Sequence, residues 1–290
     1  MSIKRFPTPA LEKLTVLSSE FGAFFHKVQN SAFRILHSGI KPDPRILVPL
    51  SIALMILILS LSIPFASPPQ MDPASEWNLL YLKIRDGDIS REKAQEKLKE
   101  LEVSLKDFYL KTTNREQDDR LCFPLKGYGP SAIGGKGGSG YQTQGYDFFD
   151  GNRHKGHPGH DIFIRDTNQD GLDDITMKPV EVISVFSGIV VSVNLNWEPS
   201  SPIRGGNYIW IFEPVKGRYY YYAHLNEIFI KVGQLVSKGE RLGTVGRTGL
   251  KAYPKRSPTH LHFTVHQSID GYPKPINPYS ELTKASREDR

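Results

Sequence analysis

His260-Leu261-His262-Phe263-Thr264-Val265-His266 alternates polar and apolar side chains at every step. A period of two belongs to a β-strand, so His260, His262, Thr264 and His266 face one way and Leu261, Phe263 and Val265 face the core. Residues 180–193, 207–212, 218–224 and 228–232 read as further strands, with turns marked by Val232-Gly233, Lys238-Gly239 and Arg247-Thr248-Gly249. Upstream the chain is rich in glycine, with seven between Gly127 and Gly140. No long helical period follows, so residues 121–280 are expected to form an all-β domain of mostly antiparallel sheet.

The strand places two imidazoles, His260 and His262, roughly 6.6 Å apart on one face. One can ligate a metal while the other reaches a water on it. His266 lies roughly 13 Å beyond His262, too far to share the metal, and reads as an outlying surface or groove residue. A second cluster is His157-Pro158-Gly159-His160-Asp161. His157 and Asp161 can meet only if Pro158-Gly159 bends the chain. His160 points to the other side, and His154 reads as an ordinary loop residue. A third piece is Tyr222-Ala223-His224-Leu225, where Tyr220, Tyr222 and His224 are expected on one strand face. Two His and one carboxylate leave the fourth position of a tetrahedral zinc open, the arrangement of a catalytic rather than a structural site. The expectation is a zinc hydrolase.

Composition bounds where it works. The net charge is +6, of which residues 1–45 carry +4, with seven Lys/Arg against three acids. The remainder is nearly neutral, with no clustered basic face for nucleic acid. Residues 46–66 are 21 uncharged, mostly apolar residues, long enough for a transmembrane helix. An uncleaved anchor is preferred to a cleaved signal, because Pro64-Phe65-Ala66 makes a poor small-x-small cleavage site. Lys/Arg before the span put the N-terminus in the cytoplasm and the rest outside a bacterial inner membrane, in the periplasm or cell-wall space. Cys122 is the one cysteine, so no intrachain disulfide braces the exported part. Residues 67–120 read as a linker and a helical spacer, with Ser90 as N-cap, Glu92 in the first turn and Ala94, Leu98, Leu101 and Leu105 on one face. Residues 281–290 read as a polar tail.

Taken together, residues 123–278 resemble the lysostaphin-type (LytM-type) zinc metallopeptidases, which cut peptide cross-links in bacterial peptidoglycan. The resemblance rests on the order and separation of the H-x-G-x-D block at residues 157–161, the strand at 180–190, Gly206-Asn207-Tyr208-Ile209, Tyr222-Ala223-His224-Leu225, residues 232–239 and 243–249, and Thr259-His260-Leu261-His262-Phe263. It implies a LytM-like sheet domain with zinc held by His157, Asp161 and His262. It leaves His260 and His224 unligated, His260 as general base and His224 as transition-state stabiliser and acid. Peptidoglycan stem peptides or cross-bridges would be the substrate.

Two segments depart from the family pattern. Residues 165–174 form an inserted acidic loop in which Asp166, Asn168, Asp170, Gly171 and Asp174 match the first nine positions of a calcium loop. Met177 stands where its closing Glu should be, so Ca2+ and a solvated turn are both open readings. Residues 250–258 (LKAYPKRSP) are longer and more basic than the family's usual approach to the H-x-H, and would reshape one wall of the groove. The rival to an enzyme is a zinc-free regulator of this fold that activates cell-wall amidases, but all five site residues are present. Non-haem iron oxygenases also use two His and one carboxylate, but from a His-x-Asp block; here three residues separate His157 from Asp161.

Overall fold

The computed structural model describes residues 71–113 and 120–285. The basic segment 1–45, the apolar run 46–66 and the end of the polar tail lie outside the described residues. Among the described residues no helix is long and apolar enough to cross a membrane.

Among the described residues two helices come first, α1 (Pro73–Asp86) and α2 (Arg91–Thr112). The Asp72 carboxylate accepts from the Ala74 and Ser75 amides at 3.1 and 3.0 Å, Pro73 occupies the first turn, and Gly87 ends the helix in the left-handed region. Ser90 caps α2 with its hydroxyl on the Lys93 amide, and Ala94, Leu98, Leu101 and Leu105 are buried along one side. These residues, expected as a spacer, pack onto the sheet. Trp77, Leu80, Ile84, Leu98 and Leu105 share a core with Ile189, Val191, Tyr208, Trp210, Phe212 and Tyr219. Trp77 Nε1 donates to Tyr219 Oη at 3.1 Å, and that hydroxyl donates to Glu102 at 2.9 Å.

Nine strands form one antiparallel sheet: β1 (Gly159–Phe163), β2 (Glu181–Ile183), β3 (Gly188–Asn194), β4 (Asn207–Glu213), β5 (Arg218–Ile228), β6 (Leu235–Val236), β7 (Arg241–Val245), β8 (His260–Ile269) and β9 (Tyr272–Ile276). The main path runs β1-β8-β5-β4-β3-β6, while β7 pairs with β2 and with the end of β5. Strand β8 is the hub. One edge pairs with β5; the other pairs with β1 through residues 260–264 and with β9 through residues 265–269. Pro273 and Pro275 are tolerated in β9 because it lies at an edge.

Strand β4 is buried at every position, because both faces of the sheet are covered. On one side Tyr220, Tyr222, Leu261, Phe263 and Val265 meet Val182, Leu242 and Val245; on the other the helical hairpin covers the sheet. Three local expectations are corrected. Residues 180–193 are two strands separated by a break at residues 184–187, where Ser184 Oγ donates to Phe186 O at 2.6 Å. Residues 229–232, expected as strand, are not strand: β5 ends at Ile228, and a turn begins at Val232. The expected polar tail begins inside a short helix, α3 (Tyr279–Thr283), that buries Leu282.

Candidate active site

Register decides what meets at the N-terminal end of β8. Asp161 on β1 lies opposite His262, and Ala223 on β5 lies opposite His262 from the other side. Gly159 lets β1 approach, since a Cβ there would sit 2.3 Å from Phe263 O. His157 stands just before β1, and the chain bends so that its Nε2 lies 3.1 Å from Asp161 Oδ1. His262 Nδ1 is 2.9 Å and His260 Nε2 3.6 Å from that same oxygen. One carboxylate oxygen is thus surrounded by three imidazole nitrogens.

The alternation expected for Tyr220, Tyr222 and His224 fails at its last member. Tyr220 and Tyr222 point into the core, whereas the His224 ring meets His260 and His262 at centroid distances of 5.0 and 5.8 Å. The cause is a φ of 66° at His224, which turns its side chain to the face of Tyr221 and Ala223. Gly249 makes room, because a Cβ there would lie 2.8 Å from His224 Nδ1.

Backbone carbonyls fix the tautomers. His157 Nδ1 donates to Gly140 O at 2.7 Å, His260 Nδ1 to Pro258 O at 2.7 Å and His224 Nδ1 to Thr248 O at 2.8 Å. A carbonyl only accepts, so each ring carries its proton at Nδ1 and, when neutral, has a lone pair at Nε2. Facing lone pairs and a carboxylate require a cation or a shared proton between them. Among the described residues, His157, Asp161 and His262 are the one group of three whose ligand atoms lie within 4.8 Å of one another, and the donor set fits zinc.

Electrostatics agree. Burial would raise the Asp161 carboxyl, but hydrogen bonds from His157 and His262 outweigh it and hold the group far below the ordinary carboxylate range. Burial lowers His262, and burial with the neighbouring His260 and His262 holds His224 well below the ordinary imidazole value. Both rings are neutral at pH 7, as metal ligation requires of His262. Burial also opposes the charge on His157, but Asp161 overcomes it and raises that ring.

The acidic loop finds no support as a calcium site. Asp166 accepts from the Asp170 and Gly171 amides and from Thr259 Oγ1, at 3.0, 2.9 and 2.6 Å. Asp170 accepts from the Leu172 amide and from Asn168 Nδ2, while Asp174 accepts from Thr167. The carboxylates serve their own turn. Through Thr259 the loop nonetheless braces the start of β8. Lys251, Ala252 and Ser257 of the basic loop line the cleft, about 190 Å³ in volume, beside His224 and His260.

His266 was expected as an outlying surface or groove residue; it is buried, 1% exposed, with Nε2 2.8 Å from Tyr146 Oη. Burial lowers its pKa to about 3. Below pH 6.5 an unfolded chain protonates this residue and the folded protein does not, so stability is full above 6.5 and is lost as pH falls toward 3. Urea unfolding at pH 7 and pH 5 should show the native protein losing about 2 kcal/mol more than His266→Asn over that interval. Equal losses would refute a neutral, buried His266. His160 is also buried, bonded to Asn277 away from the centre. His154, expected as a plain loop residue, lines the cleft with Arg204 and Tyr221. Neither Arg204 nor Tyr221 was singled out, and no motif marks them; strand register places Tyr221, and the loop before β4 carries Arg204.

Comparison with known proteins agrees with this geometry. Residues 167–278 match the model of Peptidase family M23, a segment that holds His224, His260 and His262 and starts after His157 and Asp161. Among solved structures, a zinc-containing peptidase from Vibrio cholerae is 23% identical with a TM-score of 0.36, covering 59% of this chain and 41% of the other. Lysostaphin from Staphylococcus simulans is 27% identical with a TM-score of 0.32, covering 44% of each chain. A putative glycyl-glycine endopeptidase LytM from Ruminococcus gnavus is 23% identical with a TM-score of 0.41, covering 77% of this chain and 86% of the other. The chain spans less than half the length of the first two. No curated protein sequence matches. The match to the Peptidase family M23 model supports the LytM-type resemblance read from the sequence, over residues 167–278.

Proposed function

We propose that this protein is a membrane-anchored zinc metallopeptidase that hydrolyses peptide cross-links of peptidoglycan. The observation that carries it is the convergence of His157, Asp161 and His262 on one point, with His260 Nε2 and the His224 ring beside it. A zinc ion held by the three ligands would lower the pKa of a water to about 7 and polarise the scissile carbonyl. His260 Nε2, its other nitrogen tied to Pro258 O, is oriented to accept the water's proton. His224 starts as an acceptor too, because its one proton is committed to Thr248 O. It therefore acts on the leaving amine only after gaining a proton at Nε2, which its burial makes easy to give up again.

The anchor at residues 46–66, with the N-terminus inside, would hold the domain against the outer face of the cytoplasmic membrane. The intact mass of the membrane-fraction protein tests it: loss of the first 66 residues would replace the anchor by a cleaved signal.

The activity is tested by digestion of purified peptidoglycan with zinc-loaded protein. Soluble fragments should appear, and His260→Ala should slow their release by about a hundred- to ten-thousandfold while zinc stoichiometry stays at one. One bound zinc with no cleavage of peptidoglycan or oligoglycine would instead favour a regulator of cell-wall amidases.

A further inference from the structure

The groove does not run on past the metal site in both directions. On the face that carries His262 and Ala223, the next positions are Thr264 and Tyr221, and then His266 and Tyr219. That last pair is sealed: Trp77 stacks on Tyr219 at 5.3 Å, and Tyr146 and Phe148 lie against His266. Tyr81 and Phe148 close over Trp210 in the same way. What remains between His262 and this aromatic wall is a cavity of about 60 Å³, continuous with the cleft through Pro158, Arg204, Tyr221 and His262. That volume suits a small side chain, not a continuing peptide.

One cation stands over the junction. Arg204 reaches from the loop before β4 to the opposite wall, where Nη1 donates to the backbone carbonyl of His154. Its Nε and Nη2 form no hydrogen bond among the described residues. No Asp or Glu lines the small cavity, and Asp161 is the one acid lining the cleft. A chain that stops in this pocket must present either an ammonium or a carboxylate. The guanidinium repels the first and pairs with the second, which it can bind through two parallel N–H groups.

We infer that Arg204 and the closed pocket beside it bind a small terminal residue with a free carboxylate, so that the bond cut is the one joining that residue to the chain. This rests on the zinc-peptidase reading above and adds to the cross-links proposed there a second substrate at the same site, the uncrosslinked stem peptide, whose terminal D-alanine ends in a carboxylate. Water adds across the amide, leaving a new carboxylate on the shortened peptide and a free amino acid with its amine protonated.

The test compares three substrates with the zinc-loaded full-length protein: Nα-acetyl-L-lysyl-D-alanyl-D-alanine, its C-terminal amide, and the same peptide extended by glycinamide, which continues the chain and carries no terminal carboxylate. The free acid should be cleaved at its last bond with kcat/KM about ten- to a hundredfold above the amide, mostly through KM, and the extended peptide should be slowest. Arg204→Ala should erase the preference for acid over amide, and Arg204→Lys should restore part of it. The wild-type preference needs no variant, so a misfolded Arg204→Ala would not hide the answer. Equal rates on acid and amide, or faster cleavage of the extended peptide, would overturn the subsite while leaving the peptidase standing. Cleavage of none of the three by protein that still digests peptidoglycan would overturn the proposal; if peptidoglycan too is left intact, the pocket is decided on metal-free protein. There the Trp210 indole N–H resonance should shift with N-acetyl-D-alanine and not with N-acetyl-D-alaninamide; no shift with either refutes the pocket.

Discussion

His262→Ala is expected to yield a folded protein that binds zinc about a hundred- to a thousandfold more weakly and releases no measurable peptidoglycan fragment. A protein zinc site is worth on the order of 10–16 kcal/mol over its ligands, so one ligand accounts for roughly 3–4 kcal/mol, or two to three decades. The loss also changes Asp161. Its carboxyl is held low by hydrogen bonds from His157 and His262, so it drifts back toward ordinary values once one of them is gone. The fold should survive, because Leu261 and Phe263 supply the strand's core face and are untouched. Metal content by mass spectrometry, far-UV circular dichroism and fragment release together read the outcome. Stoichiometric zinc in a folded His262→Ala protein would remove His262 from the ligand set.

The second large effect is expected far from the metal. Trp77→Ala should destabilise the protein by about 3–5 kcal/mol, the range for losing a fully buried large aromatic. Trp77 is wholly buried, stacks between Tyr81 and Tyr219, and donates its indole N–H to Tyr219 Oη. Its removal leaves a cavity against β4 and β5 and takes away one of the two bonds at that hydroxyl. Urea unfolding followed by tyrosine and tryptophan fluorescence measures the change. A loss below about 1 kcal/mol would mean that the helical hairpin is a loose appendage rather than a layer of the domain.

Much of the site was legible in residues 157–161 and 260–262, for a specific reason. Alternation within one strand says which side chains share a face, and it correctly put His260 beside His262. A carboxylate four residues after His157 with Pro158-Gly159 between them announced a bend. The same alternation failed at His224, because a positive φ in a non-glycine residue leaves no signature in sequence. At His266 alternation gave the right face and distance along the strand ruled it out of the metal site, but nothing local shows that Tyr146 and Phe148 come down on it. The acidic loop left two readings open for a similar reason. Asx-type hydrogen bonding and calcium ligation draw on the same residues, and only the directions of the carboxylates separate them.

The sequence by itself determined the strand character of residues 260–266, the apolar period of α2 and the identity of the imidazoles and carboxylate, because these follow from periodicity and side-chain chemistry within a few residues. Tertiary structure alone decided that β1 pairs with β8, so that Asp161 lies opposite His262, and that the hairpin seals the groove beyond Tyr221. Pairing partners and covering layers are chosen by the burial of surfaces far apart in the chain, and no local pattern encodes that choice.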